Sequence, residues 1–134
     1  MLKDYIRALQ TSFTTVTGLR DVLIKIFNKI DSDMNTVTSA DITTTHTVST
    51  TYLNGLRING KVVECDLNVT GVTGSGTTLI GTIPEEYRPS KPFIIPIVVS
   101  GSFGYASIDE NGNISTTLTL NNASIRVHTS WIID

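Results

Sequence analysis

Between Asn35 and Tyr52 the hydrophobic pattern of this sequence changes period, which limits the chain to a helical segment followed by a sheet. Upstream, Leu2, Ile6, Leu9, Phe13, Val16, Arg20, Leu23, Phe27, Ile30 and Met34 recur at alternating spacings of four and three residues. That 3.5-residue repeat is the narrow a/d seam of a coiled coil. Over residues 1–34 it predicts a helical stem of roughly 50 Å, with Ile6, Leu9, Phe13, Val16, Leu23, Phe27 and Ile30 as the oligomerisation contacts. Two Phe residues on the seam, and apolar Leu19, Val22, Ile24 and Ile26 beside it, suit three strands better than two. The competing reading packs one long helix along its own sheet. Thr14, Thr15, Thr17 and Gly18 are poor helix formers, and Arg20 falls on the seam beside them, so an interruption with a restart near Leu19 is expected.

Downstream, the period is two. In KVVECDLNVT, residues 61–70, Val63, Cys65, Leu67 and Val69 share one face, while Glu64, Asp66 and Asn68 share the other. Thr, Ile and Val make up 48 of the 134 residues, which favours strand. Seven strands are predicted, at 52–58, 61–70, 77–83, 93–99, 103–109, 113–120 and 124–133, giving a mainly β chain with a jelly-roll-like β-sandwich head over 52–134. Residues 35–51, NTVTSADITTTHTVSTT, are rich in Thr and Ser and poor in large apolar side chains, and read as a linker, or as a neck of short strands shared between chains. Asn111-Gly112 predicts a type I′ hairpin. With Asn121-Asn122 as the next turn, residues 103–133 read as a three-stranded meander. Pro84, Pro89, Pro92 and Pro96 hold the preceding stretch to a loop and an edge or bulged strand.

Composition removes several functions. The net charge of −2, without a basic cluster, argues against nucleic-acid binding. No apolar run approaches the roughly 20 residues of a membrane-spanning helix, and MLKDYIRALQ lacks the pattern of a secretory leader, so a soluble chain without membrane insertion is expected. One cysteine and two histidines leave a cysteine–histidine zinc site short of ligands, so no metal and no cofactor are expected. Cys65 reads as a small core residue. Catalysis finds no motif: GxSxG and HExxH are absent, GVTGSGTT lacks the P-loop lysine, and neither Glu85-Glu86 nor Asp109-Glu110 forms an acid/base pair across one face. The chain therefore reads as a non-enzyme. In SIRVHTSWIID, alternation assigns Ile125, Val127, Thr129, Trp131 and Ile133 to the core, and Arg126, His128 and Ser130 to the outside. Arg126 and His128, with Tyr105, Tyr87 and Arg88, are the candidate ligand-binding residues, because they offer aromatic faces and planar donors to a saccharide.

The segment LIGTIPEEYRPSKPFIIPIVVSGSFGYASIDENGNIS resembles the C-terminal heads of tail-fibre and baseplate receptor-binding proteins from phages of Gram-positive bacteria. The resemblance rests on Ile83, Pro84, Tyr87, Arg88 and Pro89, then Ile108, Asp109, Asn111, Gly112 and Ile114. It implies a virion homotrimer made in the host cytoplasm. Its helical shoulder would dock on other tail or baseplate proteins, and a neck would carry a β-sandwich head that binds host cell-wall saccharide. The alternatives are a purely structural virion fibre or connector without a ligand, and a glycan-degrading tail enzyme.

Overall fold

The computed structural model describes residues 2–4, 16–35 and 37–134 of the chain. It divides into two compact units, Met1–Thr36 and Val37–Asp134.

In the first unit residues 2–4 are helical, and helix α1 spans Val16–Asn35. At 20 residues α1 is about 30 Å long, and residues 5–15 of the expected stem fall outside the described residues. Thr17 and Gly18 lie within α1, and the rest of the expected interruption, Thr14 and Thr15, falls outside the described residues. Ile6, Leu9 and Phe13 fall outside the described residues. Along α1, Leu23, Phe27 and Ile30 are exposed within the single chain, Phe27 by 66%, whereas off-seam Val22 is buried. No described helix is long and apolar enough to cross a membrane.

The second unit is one curled antiparallel sheet of nine strands: β1 (Val37–Ala40), β2 (Thr47–Val48), β3 (Gly55–Asn59), β4 (Val62–Gly74), β5 (Thr78–Thr82), β6 (Phe93–Val99), β7 (Ser102–Ile108), β8 (Asn113–Thr116) and β9 (Leu120–Ile132). Their order is β1-β3-β4-β9-β6-β7-β8-β5, with β2 on β4. Residues 37–51, read above as linker or neck, thus contribute two strands, and the sheet unit begins at Val37 instead of Tyr52. Their short polar side chains suit the task they perform, which is to line the sheet's margin with hydrogen bonds. Thr43 and Thr82 exchange both backbone bonds, Thr44 Oγ1 donates to the Ile80 carbonyl at 2.7 Å, and His46 Nε2 donates to the Leu79 carbonyl at 2.8 Å. These contacts cover the free edge of β5 and curl the sheet on itself.

The inward face carries the predicted alternation. Val63, Cys65, Leu67 and Val69 of β4 meet Ile125, Val127 and Trp131 of β9, with Ile95, Ile97, Ile108 and Ile114 completing the core. Burial, and secondarily the neighbouring Asp66 charge, pushes the Cys65 thiol up to about 12, which fits a packing role and no nucleophilic one. Trp131 donates its Nε1–H to the Tyr87 carbonyl at 2.7 Å, satisfying its one polar atom.

The predicted meander does not form. β7 pairs with β8, but β9 leaves β8 and runs between β4 and β6. The long apolar alternation of β9 matches that of β4 over nearly its full length, while four-residue β8 pairs with β5. Asn121-Asn122 consequently lies inside β9, where Asn122 adopts a φ of 47° and donates its N–H to Thr73 Oγ1. Pro96 is tolerated in paired β6 because the β6–β9 ladder covers only Ile97 to Val99.

The hairpin at Asn111-Gly112 forms with a different turn. Gly112 has φ of 80° while Asn111 does not enter the positive region, and the Gly112 N–H returns to the Asp109 carbonyl, giving a three-residue loop with a glycine bulge. The Asp109 carboxylate accepts the backbone N–H groups of Asn111 and Asn113, each at 2.9 Å, and the Asn113 amide at 3.1 Å. The Asn113 N–H is the main cause of a carboxyl pKa held below its ordinary 3.8. A depressed folded-state pKa stabilises above the ordinary value and stops doing so as pH falls through the lowered one. Asp109→Ala is therefore expected to lose about 1 kcal/mol at pH 7, less than the roughly 1.5–3 kcal/mol of hydrogen bonds to charged groups because solvent screens this half-exposed site. The gap to wild type should close below pH 3.8. Urea titrations at neutral and acid pH measure it, and a gap independent of pH would show that the carboxylate charge is irrelevant.

Candidate functional site

The outward face of the sheet brings together residues that are far apart in sequence. Register aligns Asn68 with Arg126, Arg126 with Val98, and Val98 with Phe103, forming one row across β4, β9, β6 and β7. The neighbouring row aligns Asp66 with His128, and Pro96 with Tyr105. Between these rows lies an open groove of about 360 Å³, bordered by Asp66, Asn68, Pro96, Phe103, Arg126 and His128.

Arg126 is held in a set pose. Its guanidinium lies 3.9 Å from the centroid of the Tyr52 ring and also donates through Nη2 to the Tyr52 hydroxyl. Tyr52 comes from the loop before β3, and that loop is pinned to β4 by two asparagines. Asn54 Oδ1 accepts the Asn68 N–H at 2.6 Å, Asn68 Nδ2 donates to the Leu53 carbonyl at 2.8 Å, and Asn54 Nδ2 donates to the Ser49 and Tyr52 carbonyls. Asn68 is buried on the face expected to meet solvent because it makes these bonds. Among the described residues no carboxylate pairs with Arg126, so its charge is available at the groove.

The wall beside Arg126 is a charged ladder. Arg57 Nη2 donates to Glu64 Oε1 at 2.7 Å and to Asp66 Oδ2 at 3.0 Å, while Asp66 Oδ1 lies 2.6 Å from His128 Nδ1. The opposite wall is apolar. Phe103 is 91% exposed, Tyr105 70% and Ile94 75%, all on the outer face of the β6–β7 ribbon, and a second shallow cavity of about 240 Å³ runs along Ile94, Tyr105, Ser107 and Thr117. Three large side chains left open to water on adjacent strands make a contiguous patch of the kind that contacts a ligand or a partner.

Of the residues read from the sequence, Arg126 and His128 border the groove, and Tyr105 borders the adjoining cavity. Tyr87 and Arg88 are elsewhere, in and after the 3₁₀ turn Glu85–Tyr87. There the Tyr87 carbonyl receives Trp131 while its side chain packs partly buried against the core, and Arg88 Nε donates to the Ile83 carbonyl at 2.9 Å. Tyr52, Asp66 and Phe103 escaped the sequence reading. Tyr52 and Arg126 are 74 residues apart, and only the register of β4 against β9 brings them together. The alternation of 61–70 did place Asp66 outward, and that was the one local signal. Comparison with protein-family models and with curated proteins yields no match to this chain.

Proposed function

We propose that this protein is a homotrimeric phage tail-fibre or baseplate adhesin that holds host cell-wall saccharide in the groove between Arg126 and Phe103. The observation that carries this reading is the pairing of Arg126, stacked on Tyr52 and without a carboxylate partner among the described residues, with an almost fully exposed Phe103 across one shallow cleft. A pyranose has an apolar C–H face for Phe103 and hydroxyls for the guanidinium, Asp66 and His128. An open cleft binds weakly by itself, and three heads on one stem compensate through simultaneous engagement. The exposed stripe of Leu23, Phe27 and Ile30 on α1 supports a helical bundle as that stem. Attachment to other tail or baseplate proteins through the N-terminal helix, and location on the virion, belong to the same reading.

Fluorescently labelled protein mixed with a panel of Gram-positive cells and their extracted wall polysaccharides tests it. Saturable binding to particular strains is expected. Arg126→Ala and Phe103→Ala should each weaken it about tenfold, ~1.4 kcal/mol, while Lys91→Ala should leave it unchanged. Binding that ignores both groove substitutions rejects the site. The apolar patch of Ile94, Phe103 and Tyr105 favours one second reading, a structural virion protein whose patch meets another protein. A trimer that binds no polysaccharide from any strain supports that alternative.

A further inference from the structure

The same sheet face contains a metal-donor set, of which the saccharide reading uses Asp66 and His128 only as hydrogen-bonding partners of sugar hydroxyls. Glu64 and Asp66 alternate on the outer side of β4, and His128 is the direct cross-strand partner of Asp66 on β9. Their nearest carboxylate and imidazole atoms all lie within 4.8 Å of one another. We propose that Glu64, Asp66 and His128 form a divalent transition-metal site of the Zn²⁺ class on the wall of the groove.

The bonding pattern leaves the required atoms available. Asp66 gives Oδ2 to Arg57 and turns Oδ1 to His128, and Glu64 is held by Arg57 through Oε1 alone. Asp66 Oδ1, a carboxylate oxygen of Glu64 and His128 Nδ1 are then the ligands, and Arg57 becomes the outer partner that orients both carboxylates, the arrangement that tunes metal ligands generally. The ion takes the place of the proton on His128 Nδ1; in a neutral ring that proton moves through solvent to Nε2, with none released. If the ring was charged beforehand, one proton goes to solvent. Bonds of about 2.1 Å place tetrahedral donors about 3.4 Å apart. The 2.6 Å His128–Asp66 pair has to open slightly, and Glu64 has to close in by a rotamer change at a half-exposed position. An imidazole with two carboxylates suits Zn²⁺, Co²⁺ or Ni²⁺, whereas Ca²⁺ and Mg²⁺ prefer all-oxygen shells. Because Asp66 and His128 also border the 360 Å³ groove, a remaining coordination position opens into it. The donors sit on paired strands, so the ladder sets their spacing in advance of any ion.

The test is titration of the full untagged chain with ZnCl₂ by calorimetry, together with the visible absorption of the Co²⁺-loaded protein. The expected result is one ion per chain with a Co²⁺ d–d band. His128→Ala and Asp66→Asn should each weaken binding at least about tenfold, and His46→Ala should leave it unchanged. The His128 side chain is 70% exposed, so its removal leaves the sheet folded, which circular dichroism verifies. Binding weaker than about 1 mM, or one-to-one binding that survives His128→Ala, overturns the assignment. Both readouts are independent of saccharide binding, so failure of the adhesin reading leaves this result standing, and the converse also holds.

Discussion

Ile30→Asp is expected, on the proposed trimeric-adhesin reading, to leave the protein monomeric and to lower its apparent affinity for immobilised cell-wall polysaccharide by about 10²–10⁴-fold. The seam residues Leu23, Phe27 and Ile30 stand exposed on α1 in the single chain, Ile30 by 41%, so circular dichroism accompanies the mass measurement to show that the single-chain fold is kept. In a bundle the same position is shared core, and a carboxylate there has no partner and no water. The loss of affinity follows from valency alone, because Ile30 belongs to Met1–Thr36 and the groove to Val37–Asp134. Light scattering gives the mass, and surface binding to polysaccharide gives the avidity. An unchanged mass removes the stem, and a monomeric wild-type protein removes the trimer. If the variant is monomeric yet keeps its avidity, single-site binding is already strong and the multivalent reading of the shallow groove fails.

Gly112→Ala is expected to destabilise the sheet unit by about 3 kcal/mol or more and to lower its melting temperature by about 12 °C or more. Two effects combine. The backbone there has φ of 80°, which costs an L-residue roughly 1–2 kcal/mol. A Cβ would also sit 2.6 Å from the Ile83 carbonyl oxygen and 2.8 Å from Arg88 Nε. Those atoms are not free to yield. The Ile83 N–H bonds the Gly112 carbonyl at 2.9 Å, and the Ile83 carbonyl accepts Arg88, so the hairpin, the end of β5 and the loop after it are locked together. Gly76→Ala separates the two effects, since Gly76 has φ of 73° with nothing within 4 Å of the added carbon. It should lose only the backbone share, about 1 kcal/mol. Equal melting temperatures for the two variants would show that the crowding at Gly112 relaxes at no cost. Total stabilities of 5–15 kcal/mol make the larger loss a severe one.

What the sequence determined by itself is the local alternation. The period of two in 61–70 and 124–133 sorts Cys65, Ile125, Val127 and Trp131 inward and Glu64, Asp66, Arg126 and His128 outward, because strand side chains point to alternate faces whatever they pair with. The spacing of four and three along residues 2–34 likewise marks an apolar stripe, and on α1 Leu23, Phe27 and Ile30 are left exposed in the single chain. Partners, and with them the site, were decided by the tertiary structure. Sequence proximity favoured β9 beside β8, but the length of apolar strand that β4 offers carried β9 away from it. The Thr-rich stretch after α1 looked coreless because, apart from Ala40 and Ile42 at the core's margin, its contribution is hydrogen bonds to a distant edge, which leave no hydrophobic period to read. Arg126 on Tyr52, Asp66 against His128, and Phe103 across the groove are all products of cross-strand register. Register is set by long-range pairing of faces, and no spacing within one segment encodes it.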